Sequence, residues 1–196
     1  MTADARALPG QGAATAVWLL GGLAAASLAR AALNGHVALS AFVAGATFGI
    51  VLVAMASMAG WRPARPSVTS LLIGSVGGLV LVALPRLAHP LLPAVIGMRP
   101  DPFAAWVLVT TIVVTGEEAL LRGALFGTLE RAAGPVAAVA ITSLAFALMH
   151  VPLYGWHVVP LDLGVGVWLG GLRLATGGVA APAIAHGLAD LSTWWI

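Results

Sequence analysis

The sequence predicts an all-α protein, a polytopic bundle of transmembrane helices, because it is rich in apolar residues, poor in charge and divided into long apolar segments. Apolar residues occupy 60% of its 196 positions, charged residues occupy 8%, and the mean hydropathy is +1.01. A water-soluble domain carries about 25% charged residues. With so few charges the chain could not cover its surface in water, so lipid is the expected solvent.

Composition also excludes several kinds of site. The chain contains no cysteine, which excludes disulfides, thiolate metal sites and a cysteine nucleophile. Its basic residues lie singly or in one short pair, which is unlike a nucleic-acid-binding patch.

Seven apolar segments are expected to cross the membrane, since about 20 apolar residues span the hydrocarbon core as a helix. Prolines, glycines and arginines mark the turns between them. The last two segments are short, which leaves six to eight crossings open. Residues 1–11 are expected to form a tail before a retained first span, and the proline-rich stretch 85–102 could include an interfacial segment at 91–96. The seven segments are residues 13–33, 37–61, 68–84, 103–129, 135–150, 158–175 and 179–196.

We expect a single integral membrane domain over residues 1–196, with a motif-bearing core at 103–196. Glycines spaced four apart let neighbouring helix backbones approach closely, and four such pairs favour a compact bundle. The sequence has no internal repeat of the kind that builds transporters from two halves. The pairs are Gly45/Gly49, Gly74/Gly78, Gly123/Gly127 and Gly166/Gly170.

Three charged residues lie in the middle of the fourth apolar segment: Glu117, Glu118 and Arg122. Each ionised group at a helix centre costs about 2.5–3.5 kcal/mol on insertion scales, so the three must face the interior of the bundle. Glu118 and Arg122 are four residues apart and are predicted to pair on one helical face. Glu117 lies about 100° around the helix, so it needs another partner or stays available for chemistry. A structural charge cluster that pins two helices is the alternative.

Two histidines lie on later apolar segments. Phe146 and His150 are four residues apart and share a face near the end of the fifth segment. His186 and Asp190 share a face in the same way in the seventh segment, where a carboxylate can hold an imidazole tautomer or co-ligate a metal. The alternatives are an interfacial His150 and a purely structural His186–Asp190 pair.

Together these segments bring two glutamates, two histidines, an aspartate and an arginine into the bilayer. A carboxylate base, imidazoles that polarise a carbonyl or stabilise an oxyanion, and a cation that positions the base are the groups that activate a water. We therefore predict hydrolysis of a peptide bond in or near the membrane.

The motifs resemble those of the CPBP intramembrane proteases, also called the Abi family, which are relatives of the type II CAAX prenyl endopeptidase. The resemblance covers residues 103–193 and rests on three motifs in order on successive apolar segments. The motifs are Glu117-Glu118-x-x-x-Arg122, Phe146-x-x-x-His150 and His186-x-x-x-Asp190.

This resemblance implies an intramembrane endopeptidase in which Glu117 activates the water. It further implies that His150 and His186 contact the carbonyl or oxyanion and that Asp190 orients the site. Family members include bacteriocin-immunity proteins and enzymes that cleave C-terminal membrane anchors of exported proteins, so the implied partner is a membrane-anchored protein or peptide. The residues expected to support the site are Glu118, Arg122 and Phe146.

Metal dependence is left open by the sequence. Glu117, His150, His186 and Asp190 could supply nitrogen and oxygen ligands for zinc or another divalent metal. The His-Glu-x-x-His signature of the zincins is absent, and we favour a glutamate-activated water without a tightly held cofactor.

The arginines predict the orientation. If Met1 is cytoplasmic, five arginines fall on that side and three, counting Arg30, on the other, which favours a cytoplasmic N-terminus. The expected location is the bacterial inner membrane, with His150 and the C-terminus facing outward.

Two other functions are open. The same residues could form a structural polar network in a non-enzymatic binding or immunity protein, or a relay in a proton-coupled transporter, although small size and absent repeats disfavour the transporter. Other polar and aromatic residues near span ends are expected to be interfacial, with a cavity-lining alternative for Asp162 and a substrate-entrance alternative for Trp156 and Trp194. These residues are His36, His89, Tyr154, Trp156, His157, Asp162, Trp194 and Trp195.

Overall fold

The computed structural model describes residues 11–34, 38–88 and 102–195, and the secondary structure within these ranges is helical, which confirms the all-α prediction. The interfacial segment predicted at 91–96, and the positions of His36 and His89, lie outside the described residues. The helices are α1 (Gln11–Leu33), α2 (Ala38–Met58), α3 (Val68–Ala88), α4 (Phe103–Glu118), a π-helical turn (Ala119–Leu125), α5 (Phe126–Tyr154), α6 (Val159–Thr176) and α7 (Ala180–Ser192).

Several helices are long and apolar enough to cross a membrane, so the chain is an integral membrane protein. The continuous helical run from α4 to α5 reverses direction at Gly134, whose φ of 85° is readily adopted by glycine. This is the turn that the sequence predicts between the fourth and fifth segments. A shorter apolar helix covers Val68–Leu84. Among the described residues, four helical runs have the length and composition to span a membrane: Gly12–Leu33, Ala41–Met58, Phe103–Tyr154 and Trp156–Thr176.

Two predicted segment ends are wrong. Helix α5 continues past His150 and through Pro152 to Tyr154, because a proline in the last turn removes only one backbone donor. The helix ends at Gly155, where φ is 87° and the backbone N–H donates to the carbonyl of Val151. Helix α7 stops at Ser192 and is followed by a 3₁₀ turn, Thr193–Trp195, instead of continuing to residue 196.

Glycines bring the helices together in pairs: α2 packs on α4, α3 on α7, and α5 on α6. A side chain at Gly49 would collide with the backbone of Ile112, and one at Gly74 with the backbone of Ala181. The prediction of close helix contacts is confirmed for three of the four glycine pairs. It is wrong for the pair at 123 and 127, because Gly123 packs against Trp61 in the loop after α2, whereas Gly127 meets only Arg131 of its own helix.

The two ends of the bundle differ in character. At one, the aromatic end, the start of α4 is pinned to the C-terminal turn, since the rings of Phe103 and Trp106 lie 5.0 and 4.9 Å from Trp194. Trp194 therefore packs against α4. The other, the arginine end, contains the turn at Gly134, the α2–α3 loop and the α6–α7 turn. Its basic residues are Arg62, Arg65, Arg131 and Arg173.

Candidate active site

The charged residues of the fourth segment are buried where α4 passes into the π-helical turn. Glu117 and Glu118 are the last two residues of α4, and Arg122 lies within the turn. At most 2% of each side chain is exposed. Groups buried this deeply must satisfy one another, so their partners define the site.

Glu118 and Arg122 form the ion pair that the sequence predicts. Nη1 of Arg122 donates to Oε1 of Glu118 at 2.9 Å, and Nη2 donates to the carbonyl of Gly166 on α6 at 3.3 Å. The prediction that these two residues pair is confirmed. The second donor also ties the ion pair to a neighbouring helix.

The two adjacent glutamates reach opposite nitrogens of one imidazole. Nδ1 of His186 lies 2.9 Å from Oε1 of Glu118, and Nε2 lies 3.8 Å from Oε2 of Glu117. An ionised carboxylate only accepts hydrogen bonds, so Nδ1 donates to Glu118. Asp190, one turn along α7, brings Oδ2 to 3.6 Å from the same Nε2. Nε2 therefore faces two carboxylates, neither of which is within hydrogen-bonding distance.

The sequence analysis missed the π-helical turn. Residues 103–129 contain no proline or other clear signal of a break in the helix, so they are predicted as one helical segment. A π-helix inserts extra backbone into the turn and is frequently found at functional sites. Here it begins directly after the two glutamates and carries Arg122 back onto Glu118.

Phe146 fills the centre of the site. Its ring lies 4.7 Å from the guanidinium carbon of Arg122, 4.9 Å from the ring of His150 and 5.3 Å from the ring of His186. A cation over an aromatic face and edge-to-face ring contacts are both favourable geometries. The predicted face shared by Phe146 and His150 is confirmed, and Phe146 connects both histidines.

His150 contacts Asp162, a residue that the sequence analysis expected at the membrane interface. Its Nδ1 lies 3.1 Å from Oδ2 of Asp162, near the start of α6. This contact places Asp162 beside a candidate site residue, and the cavity-lining alternative for Asp162 stays a prediction. The one signal in the sequence was a carboxylate inside an apolar span, and its partner on another helix could not be inferred from spacing.

Arg30 was missed altogether. It lies in the last turn of α1, where the sequence analysis placed it at a membrane surface, yet its Nη1 is 3.8 Å from Oε1 of Glu117. Its guanidinium also stacks over Phe48 of α2, 4.9 Å from the ring centre. Glu117 thus has the separate partner that its helical position requires. No motif spacing links α1 to α4.

Exposure increases in one direction across the site. Glu117 is 2% exposed, whereas Asp190 is 44% exposed. Asp190 lies nearer than His186 to the C-terminal turn, so the site opens towards the aromatic end.

Among the described residues, no group of three or more His, Cys, Asp or Glu side chains is arranged to hold a metal ion. Nδ1 of His186 is taken by Glu118, and Nδ1 of His150 faces Asp162. These contacts leave Nε2 of each ring as its potential ligand atom, since a histidine that binds a metal commonly has its other nitrogen next to a carboxylate. Metal dependence therefore stays open.

Comparison with protein families identifies the segment that contains these residues. Residues 99–192 match the family model described as Type II CAAX prenyl endopeptidase Rce1-like. Nearly half of the chain is therefore similar to the Rce1-like family. The resemblance to CPBP proteases seen in the motifs is thereby confirmed. No curated protein and no solved structure has significant similarity to the chain.

The match supports, in general terms, a CAAX-type protease of the membrane. The matched segment, residues 99–192, includes Glu117 through Asp190 and so contains all three motifs. Arg30, by contrast, comes from α1 and lies outside the match. The Rce1-like segment is therefore completed by a helix that the family model does not cover.

The buried ion pair makes a prediction about stability. Removing one partner of such a pair leaves an uncompensated charge and costs about 3–5 kcal/mol. We expect Arg122→Met to lower the free energy of unfolding in detergent by this order, and Glu118→Gln/Arg122→Met to lower it less. Exposed Arg131, substituted by Met, is the matched control. If the double variant were less stable than Arg122→Met, the interpretation of Glu118 and Arg122 as a mutually compensating buried ion pair would be wrong.

Proposed function

We propose that the protein is an intramembrane endopeptidase in which Glu117 activates a water that attacks the peptide carbonyl. The observation that carries the proposal is the surroundings of this carboxylate. Glu117 is nearly fully buried between the cation of Arg30 and Nε2 of His186, at 3.8 Å from each, beside the half-exposed Asp190. A carboxylate that its neighbours position without a direct hydrogen bond can still accept a proton, as a general base must.

The spacing between Glu117 and His186 suits a shared water. A separation of 3.8 Å is too long for a direct hydrogen bond, and both atoms could contact one water between them. In the proposed reaction Glu117 takes a proton from this water as its oxygen bonds to the carbonyl carbon. The protonated Glu117 then delivers that proton to the leaving amine nitrogen as the C–N bond breaks.

The two histidines are proposed to stabilise the oxyanion that forms on the carbonyl oxygen. His186 is oriented by the hydrogen bond between its Nδ1 and Glu118, which leaves Nε2 for the oxyanion. His150 has Asp162 3.1 Å from its Nδ1, an ion-pair contact that does not have hydrogen-bond geometry. Fixed donors aimed at developing negative charge are among the largest contributions to catalysis. Asp190 would orient the ring of His186 from the open side of the site.

The proposed substrates are membrane-anchored proteins, including exported or lipidated proteins with C-terminal anchors. The site lies among helices that cross the membrane and opens towards the aromatic end. A peptide that reaches it must therefore enter from the bilayer or its surface. We treat residues 1–196 as one membrane domain with its catalytic core at 103–196.

The proposed location is the bacterial inner membrane with the arginine end in the cytoplasm. Four arginines of the described residues lie at that end, and arginines are enriched on the cytoplasmic side. Helix α1 begins at the arginine end, so the N-terminus would be cytoplasmic and the site would open outward. A reporter fused to the C-terminus that is active in the cytoplasm would reverse this orientation.

A non-enzymatic binding protein is the second candidate, and the Glu118–Arg122 pair is the observation that favours it. Both side chains are fully buried and bonded to each other, as in a purely structural network. Such a protein would tolerate Glu117→Gln, which keeps the shape of the side chain.

The function is tested by comparing membrane-protein termini in cells that make wild type or Glu117→Gln at equal abundance. Loss of a general base lowers rates by about 10²–10⁴-fold, so new termini beside transmembrane segments should depend on Glu117. Glu130→Gln is the matched control, because Glu130 lies on α5 near the arginine end. Identical termini in all three strains would overturn the protease and favour the binding protein. Cleavage abolished by a strong chelator and restored by zinc would overturn the metal-free mechanism.

Arg30 is predicted to position Glu117 during cleavage. We expect Arg30→Gln to lower kcat by roughly 10-fold to 100-fold with little change in KM, because it removes a cation 3.8 Å from the carboxylate. Opposite charges about 4 Å apart interact with at most about 4 kcal/mol at an effective dielectric constant of about 20. Arg30→Lys keeps the charge and should restore most of kcat, and Arg131→Gln should behave as wild type. A rise in KM with unchanged kcat, or no rescue by lysine, would contradict this role.

A further inference from the structure

A second site is suggested by a cavity at the arginine end of the bundle. Its volume is 460 Å³, and it lies between the α2–α3 loop and the α6–α7 turn. Three arginines line it, together with two serines, and its lining contains no aspartate or glutamate. The residues are Arg62, Arg65, Arg173, Ser67 and Ser70. The lining is therefore basic and rich in hydrogen-bond donors.

The positive charge of this cavity is not neutralised by carboxylates within the described residues. Arg62 donates to the carbonyls of Ser57 and Trp61, both at 2.8 Å. Arg173 donates through Nε to the carbonyl of Arg122 at 3.0 Å and stacks over Phe126. These contacts hold the two arginines in place without cancelling their charge.

Two helix N-termini add to the positive potential. Helix α3 begins at Val68, directly after the lining residue Ser67, and α7 begins at the lining residue Ala180. The first turn of a helix has backbone N–H groups without helical acceptors and carries partial positive charge. Helix N-termini combined with arginines are the usual elements of a phosphate-binding site.

The position of the cavity points to the source of the phosphate. It lies at the ends of helices long and apolar enough to cross the membrane, and Trp61 is part of its lining. Helix ends and tryptophans are typical of the level of lipid headgroups. Basic pockets between transmembrane helices bind anionic headgroups. We propose that this cavity binds a phosphate group, with an anionic phospholipid headgroup as its source and soluble phosphate as the competing source.

The ordinary explanation of these arginines is that they only mark the cytoplasmic side. That explanation treats all arginines at this end alike, whereas a binding site depends on those that line the cavity. Arg131 lies at the same end, is exposed and does not line the cavity. It therefore separates the two explanations.

The experiment measures thermal stabilisation of the delipidated full chain in detergent during titration with short-chain phosphatidylglycerol or phosphatidylcholine. We expect saturable stabilisation by phosphatidylglycerol and much weaker stabilisation by phosphatidylcholine. Arg62→Gln/Arg65→Gln should weaken phosphatidylglycerol binding by roughly 25-fold, from about 1 kcal/mol for each arginine. Arg131→Gln should leave it unchanged, and Arg62→Lys/Arg65→Lys should keep most of it.

The remaining outcomes either overturn the proposal or identify the source of the phosphate. Equal weakening by Arg131→Gln, or equal stabilisation by both lipids, would show a diffuse charge effect without a site. If the glutamine double variant does not fold, the lysine double variant must still bind phosphatidylglycerol, and its failure to do so would overturn the proposal. Inorganic phosphate that stabilises the protein and displaces the lipid at similar concentrations would make soluble phosphate the source. Inorganic phosphate without effect would support the lipid.

Discussion

A single carboxylate oxygen connects the two helical regions of the candidate site, the end of α4 with its π-helical turn and α7. Oε1 of Glu118 accepts from Arg122 on its own helical run and from His186 on α7, both at 2.9 Å. An unpaired carboxylate at this depth would be costly, so α4, the π-helical turn and α7 must meet for the chain to fold. The ring of His186 is fixed by the same contact, and its second nitrogen faces Glu117. Stability and the geometry of the proposed hydrolysis therefore both depend on Glu118.

Close packing of the helices brings Glu118 of α4 within contact distance of His186 of α7. Gly49 and Gly116 bring the backbones of α2 and α4 together, and Gly74 brings α3 against α7. Helix α1 then supplies Arg30 to Glu117 from outside the segment that matches the family. The N-terminal helices thus carry no motif of their own, yet they complete the surroundings of the proposed base.

Local patterns predicted much of the fold and part of the site. Hydropathy located the helices, and the spacing of four residues predicted the contacts of Glu118 with Arg122, Phe146 with His150, and His186 with Asp190. Contacts between helices could not be predicted this way, because spacing within one helix says nothing about which faces meet. Arg30 and Asp162 were missed as partners for this reason. The π-helical turn was missed because nothing in the pattern of residues 119–125 distinguishes it from an α-helix.

The most direct test of this arrangement is a double-mutant cycle on Glu117 and Glu118, measured as single-turnover cleavage of a peptide whose terminus depends on Glu117. Residues that act as a unit give strongly non-additive losses. If Glu118 acts by aiming His186 at the water held by Glu117, Glu118→Gln alone slows cleavage, and the double variant is no slower than Glu117→Gln. Losses that simply add, or a Glu118→Gln variant that cleaves at the wild-type rate, would contradict the account.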